Sequence, residues 1–256
     1  RLNWRRALRA GDTMRPFVGF LAMFSLCLAL AEGQSFDALK DEVEKCLKDN
    51  DIPGAGVAVV NRYEVLFAAG FGFANLEKKI PVTADTHFWL GSISKSFTAL
   101  GLVKLADEGR LDLNAPLRNI LPDLDLDNPW EDTDPVRVVH LLEHTAGLCD
   151  GFAVLFNWRH DPEIPLSAAI RLLNRIKIRQ RPGSFYVYSN IGYLLAGAVI
   201  EQITGLRYEA YLRRNLLIPL GMPTTTFRPN DPYSRSVLAQ GYGAGGKALP
   251  FLNTYF

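Results

Sequence analysis

Cysteine and histidine are scarce in this chain of 256 residues, which holds three of one and four of the other. So few thiols exclude the dense disulfide framework of a small secreted scaffold, and none stands in a C-x-x-C or other metal-ligand spacing. A charge excess of either sign is missing as well: 28 Lys and Arg face 27 Asp and Glu, for a net charge of +1. Five of the bases and a single acid, Asp12, fall within residues 1–31, which leaves the rest slightly acidic. Without a basic cluster in that body, the chain does not suit nucleic acid or an anionic membrane surface as a partner. Long apolar runs are absent too, apart from one of 14 residues between Phe17 and Leu30, which falls short of a membrane span. What remains is an average globular composition, 48% hydrophobic and 21% charged. That suffices for a substantial core in one large domain or two small ones.

The 14-residue run follows Met14-Arg15 and leads into Ala29-Leu30-Ala31. A basic start, a short apolar stretch and an A-x-A site describe a secretory signal peptide over residues 14–31, cut after Ala31. Residues 1–13 are then upstream translation, and no stable membrane span remains after cleavage. Such a chain is secreted or periplasmic. Cleavage also removes Cys27, and Cys46 and Cys149 are read as two unpaired, partly buried thiols, with pairing in an oxidising compartment as the alternative.

Ser35 is placed to cap a helix in which Phe36, Leu39, Val43, Cys46 and Leu47 recur at helical spacing up to Asn50-Asp51. Residues 54–60 and 65–73 are rich in β-branched and aromatic side chains and flank a polar turn at Asn61-Arg62, the pattern of a hairpin. From Ser92 to Glu108, Ile93, Phe97, Leu100, Val103 and Leu105 mark one face of a helix that should be buried, with Gly109 as its stop. Residues 111–135, rich in Asp, Asn and Pro, predict an irregular connection, followed by a short helix over 136–143. Apolar spacings of three and four predict further helices over 166–175, 191–203 and 208–217. Strands early and helices later argue for an α+β fold with a helical region over about 97–230, and a lone hairpin needs further strands to make a sheet. Gly241 to Gly246 matches G-x-G-x-x-G, but Pro250 follows too soon and no acidic residue lies beyond, so it reads as a glycine-rich turn.

Ser92-Ile93-Ser94-Lys95 sets a hydroxyl and an amine three residues apart, side by side on one helical face. Near a helix start, Ser92 also lies beside free N–H groups and the positive end of the helix dipole. A nucleophile next to its proton partner is the arrangement of an acyl-transfer serine enzyme, although a surface Ser and Lys would look the same. Tyr188-Ser189-Asn190 falls between the Pro182-Gly183 turn and a predicted helix. A tyrosine beside an ammonium group gives up its proton more readily and is then suited to take that of Ser92. Asn190 is suited to bond both a lysine and a substrate amide, and the bland alternative is a turn Asn with a packed Tyr. No G-x-S-x-G elbow is present. A zinc alternative comes from His140-Leu141-Leu142-Glu143-His144, which matches H-x-x-E-H, yet Thr145-Ala146-Gly147 ends that helix at once and no third ligand is evident.

Three stretches together carry a family resemblance: Phe88 to Thr98 around S-x-x-K, Leu141 to Leu148 around His144-Thr145-Ala146-Gly147, and Tyr186 to Tyr193 around Tyr188-Ser189-Asn190. The chain resembles the serine β-lactamase and D,D-peptidase superfamily. The branch is that of class C β-lactamases, D-alanyl-D-alanine carboxypeptidases and related esterases, which carry Y-x-N where class A enzymes carry S-D-N. Leu217 to Met222 is similar to a further segment of that branch. The resemblance spans residues from about 35 to about 245 and implies a β-lactamase/transpeptidase-like α+β fold, an antiparallel sheet flanked by helices plus a helical region. It implies that Ser92 is the nucleophile, Lys95 its proton partner, Tyr188 the general base and then acid, and Asn190 an anchor for substrate and lysine. It calls for no metal and no organic cofactor. The implied substrate is a small molecule or peptide with a reactive carbonyl: a β-lactam, a D-Ala-D-Ala peptide, a D-amino-acid amide or an ester. The loop from His144 to Gly147 is implied to support the site without moving a proton.

The family completes its site with K-T-G or H-x-G on a later strand, and neither follows Asn190 here. Residues 32–256 are accordingly expected to form a partial serine hydrolase domain without its C-terminal strands and second oxyanion donor, a loss that typically costs about 10²–10³ in rate. Two other functions stay open: a non-catalytic acyl-binding remnant, and a zinc peptidase using His140, Glu143 and His144.

Overall fold

The computed structural model describes residues 35–149, 165–166, 170, 175–227 and 232–249. Two compact units divide the chain, one formed by residues up to Trp89 together with Ser236–Phe251, the other chiefly by Leu90–Arg235. The expected signal peptide over 14–31 lies outside the described residues, and so does most of the helix expected over 166–175. Among the described residues no helix is long and apolar enough to cross a membrane.

The first unit is a sheet with one helix. Helix α1, Asp37–Asp49, starts where Ser35 Oγ accepts the Asp37 N–H at 3.1 Å. Strands β1 (Gly54–Val60), β2 (Val65–Asn75) and β3 (Ile80–Pro81) pair antiparallel in that order. The first two are the expected hairpin, with β2 two residues longer than the pattern predicts. Asn61 closes its turn, Oδ1 accepting the N–H groups of Tyr63 and Glu64 at 2.7 and 2.8 Å, as asparagine does in tight turns. Leu39, Val43 and Phe71 form the buried centre of this unit, with Phe36 stacked on Phe67 at 5.0 Å. Gly241 to Gly246 makes the expected tight turn, Gly243 N–H donating to the Lys247 carbonyl at 2.9 Å.

The second unit is helical. A single 3₁₀ turn, Gly91–Ile93, leads into α2 (Ser94–Asp107). Then come α3 (Leu117–Ile120), β4 (Leu126–Asp127), α4 (Val138–Leu142), β5 (Ile176–Lys177), α5 (Asn190–Thr204) and α6 (Tyr208–Leu212). Strands β4 and β5 pair in parallel, and the former gives some regular structure to a stretch expected to be irregular. Helix α5 is the hub. Its middle is apolar nearly all round, which suits a stretch enclosed by neighbours, and Leu195, Ala196, Ala198, Val199 and Ile200 are all 0% exposed. Ser189 Oγ caps its start by accepting the Gly192 N–H at 3.0 Å, and Gly205 ends it at φ +69°.

Three expectations need correction. Helix α2 does not bury the face marked by Ile93, Leu100 and Val103, which are 60%, 48% and 48% exposed; the buried positions are Thr98, Gly101, Leu102 and Leu105. The reason is close packing: a Cβ on Gly101 would stand 2.8 Å from Leu212 Cδ2 and 3.1 Å from Ile200 Cδ1, so the helix approaches its neighbours through a gap that a larger side chain would fill. The helix expected over 208–217 is α6 followed by a wider π-type turn at Arg213–Leu217. Cys46 is partly buried as expected, but Cys149 is exposed; both are free thiols.

Candidate active site

Ser92 sits on the 3₁₀ turn rather than on α2 itself. In such a turn residues three apart eclipse one another, and Lys95, in the first turn of α2, reaches back so that its Nζ donates to Ser92 Oγ at 3.1 Å. The same ammonium donates to Asn190 Oδ1 at 2.7 Å. Asn190 is the first residue of α5, so the packing of α2 on that helix sets this distance. Tyr188 comes from the loop just ahead of α5, and its hydroxyl donates to Ser92 Oγ at 2.7 Å. All four residues expected from the sequence therefore meet in one cluster, carried entirely by the helical unit.

Two aromatic rings flank the ammonium group. Lys95 Nζ lies 5.0 Å from the centroid of the Tyr188 ring and 5.7 Å from that of Tyr193, within the range of cation–π attraction. Tyr193, one turn along α5 from Asn190, is a contact the sequence reading missed, though the i,i+3 spacing contains it. Burial first, then the charges of Tyr188 and Tyr186, holds the Tyr193 hydroxyl above the usual tyrosine range. It stays protonated and donates to the Leu142 carbonyl at 3.0 Å.

One turn deeper, Thr98 and Tyr208 share a buried hydroxyl–hydroxyl bond of 2.7 Å that ties α2 to α6. Glu201, buried within α5, accepts the Tyr208 N–H at 3.0 Å, and Arg207 Nη2 lies 3.4 Å from Glu209. The carboxylates of this layer are thus partnered, as buried charge requires. A pocket lies on this side of Lys95, lined by Gly91, Ser94, Thr98, Tyr193 and Tyr208 among others.

His140 and His144 both use Nδ1 to accept backbone N–H groups, from Arg137 at 3.2 Å and from Ser189 at 3.0 Å. Burial pushes the His140 imidazole below its ordinary value. Among the described residues no three metal-ligating side chains converge here or elsewhere. The segment after His144 acts as a seam: the carbonyls of His144, Thr145 and Gly147 accept the N–H groups of Val187, Gly183 and Arg179, each at 2.8 Å. Gly147, at φ +72°, leaves no room for a side chain, since a Cβ would stand 2.1 Å from the Gln180 carbonyl oxygen.

A family model described as Beta-lactamase matches residues 39–251. Protein flp of Staphylococcus aureus is 28% identical over 193 residues, covering 75% of this chain and 38% of its own length; the chain spans about two fifths of that curated relative. Among solved structures, the octameric penicillin-binding protein homologue from Pyrococcus abyssi has a TM-score of 0.73 at 30% identity, covering 84% of this chain and 50% of that one. EstCE1, described as a hydrolase with promiscuous acyltransferase activity, has a TM-score of 0.71 at 26% identity over 82% of this chain and 57% of its own. These likenesses bear out the α+β fold that the three motif stretches imply.

Proposed function

The chain belongs to the β-lactamase family, a family of serine hydrolases, and from that membership we propose that Ser92 forms an acyl-enzyme with a small amide or ester. One observation carries the proposal: Ser92 Oγ receives hydrogen bonds from both the Tyr188 hydroxyl and Lys95 Nζ, and the latter is fixed in turn by Asn190. A hydroxyl so placed lies beside a phenol that can take its proton once ionised and a positive charge that favours that ionisation, which is what activation of a serine requires.

In the proposed cycle Tyr188 reacts as the phenolate, its charge offset by the Lys95 ammonium. Ser92 Oγ attacks the carbonyl carbon as its proton passes to the Tyr188 oxygen. Tyr188 then returns that proton to the departing nitrogen or oxygen, and the acyl group stays on Ser92. Water attacks the ester so formed as Tyr188 accepts its proton, and on collapse of the adduct Tyr188 passes that proton to Ser92 Oγ, releasing the acid and restoring the Ser92 hydroxyl and the Tyr188 phenolate. Asn190 orients Lys95 and offers its amide to the substrate. The names of the relatives suggest the two substrate classes to try, a penicillin from the penicillin-binding protein homologue and an activated ester from EstCE1. Export is proposed on the leader-like segment at residues 14–31, and N-terminal sequencing of the mature protein would locate the cut after Ala31 or refute it.

Intact-mass spectrometry of the chain and of Ser92→Ala, after exposure to a fluorophosphonate and to a penicillin, tests the reading. The expected result is a single adduct on the wild type and none on the variant. A folded wild-type chain that takes up neither reagent, or that keeps its adduct after Ser92→Ala, would overturn it.

A further inference from the structure

We propose that His144 is a positioning residue, one that holds the Tyr188 hydroxyl on Ser92 by accepting the Ser189 N–H at Nδ1 and by packing against the Tyr188 ring. The inference rests on the Ser92 reading above and assigns to the loop after α4 a task beyond general support. Ser189 is buried and caps α5. Its N–H precedes the helix, and a buried N–H of that kind needs an acceptor. His144 Nδ1, 3.0 Å away, supplies it from 45 residues upstream.

The contact is not confined to one bond. The imidazole centroid lies 4.4 Å from that of Tyr188 with the planes 30° apart, 5.1 Å from Tyr193 and 5.6 Å from Tyr186. The His144 carbonyl accepts the Val187 N–H at 2.8 Å, so the residues on both sides of Tyr188 are fixed by this one histidine. Tyr188 itself is 44% exposed, and a half-exposed phenol keeps one rotamer only if its backbone and one ring face are held. The backbone at His144 is also unusual, at φ +58°, a conformation that most side chains reach only at a cost and that asparagine and glycine tolerate. Since Nδ1 accepts, the proton of the neutral ring is on Nε2.

These facts set up a discriminating pair of variants. His144→Asn keeps both an acceptor and tolerance of positive φ, whereas His144→Gly keeps only the latter. In the full chain, with folding followed by circular dichroism, the rate at which a fluorophosphonate labels Ser92 should fall about tenfold in His144→Gly, as loss of one buried hydrogen bond predicts. It should stay within about threefold of the wild type in His144→Asn. A wild-type rate in His144→Gly, or a folded His144→Asn as slow as His144→Gly, overturns the assignment. A second readout needs no activity: ¹⁵N spectra of the wild-type imidazole should show the Nε2–H tautomer, and the Ser189 amide should exchange with solvent markedly faster in His144→Gly than in His144→Asn. An Nδ1–H tautomer, or a Ser189 amide that exchanges at the same rate in both variants, overturns it as well. If the wild type takes no label at all, the Ser92 reading is what fails, and these spectra still decide the role of His144.

Discussion

The two units of the chain bury their apolar residues to very different extents. In the helical unit one buried cluster extends from Leu102 and Leu105 on α2 through most of α5 to Tyr211, Leu212 and Leu216. In the sheet unit the buried cluster is Leu39, Val43 and Phe71, while Val60, Val65, Ile80 and Phe73 remain 61%, 63%, 46% and 43% exposed. Among the described residues, β1 has a strand on one side only, and it presents seven residues of Gly, Ala and Val without a charge. The cluster around Ser92 is carried wholly by the unit with the close-packed core. Four side chains from two separate stretches of sequence hold bonds of 2.7 to 3.1 Å, and such geometry persists only where the supporting helices have little room to shift.

The comparison predicts where substitutions cost most. Leu195→Ala, at a position 0% exposed on α5, should lose about 2–5 kcal/mol through lost burial and the cavity left behind, read from urea unfolding. Gly101→Val comes next. Its new side chain must displace Leu212 and Ile200, an overpacking cost of about 1–3 kcal/mol. Because it pushes α2 away from α5, it should also slow labelling of Ser92 by lengthening the Lys95–Asn190 bond. A Gly101→Val chain as stable and as reactive as the wild type would show that the helical unit is looser than its contacts imply.

Much of this was legible in the sequence, for reasons that vary by residue. The hairpin followed from β-branched and aromatic residues on either side of the Asn61-Arg62 turn, and α5 from apolar spacing of three and four ahead of Gly205; these signals are local. Ser92 and Lys95 were found by their spacing, which a 3₁₀ turn satisfies as well as an α-helix does. The buried face of α2 was misjudged because apolar size was the guide, while the closest approach runs through Gly101 and Thr98. The parallel pairing of β4 with β5 joins segments about 50 residues apart, and the packing of His144 on Tyr188 joins a loop to another 44 positions later. No periodicity reports such contacts. The motif stretches from Leu141 and from Tyr186 were each visible, and the resemblance implied that the first supports the site, but the bond and ring contact by which they meet were not visible.

Smaller effects sharpen the comparison further. Tyr208 is buried, and burial, partly opposed by the bond to Thr98, raises its hydroxyl well above the ordinary tyrosine value of 10.0. With the folded value above the unfolded one, the folded state binds more protons in the interval between them. Stability is therefore intact below pH 10.0 and falls as the pH rises beyond it. Tyr208→Phe should lose about 0.5–1.5 kcal/mol at neutral pH with the Thr98 bond, yet decline less steeply in alkali. Equal alkaline slopes for the two chains would refute this, since Tyr193 and Tyr211 are shifted in the same direction and would then account for all of it.

Val65→Ala is the smallest change and the most direct test of the sheet unit. The residue pairs with Val60 at the register shift beside the hairpin turn, and both are mostly exposed. Little apolar area is removed from water there, so the loss should stay below about 0.5 kcal/mol. A larger loss, approaching that of Leu195→Ala, would mean that Val65 is covered in solution. The apparent thinness of the sheet core would then be a property of the chain taken alone, and the contrast between the units would reduce to a difference in what covers them.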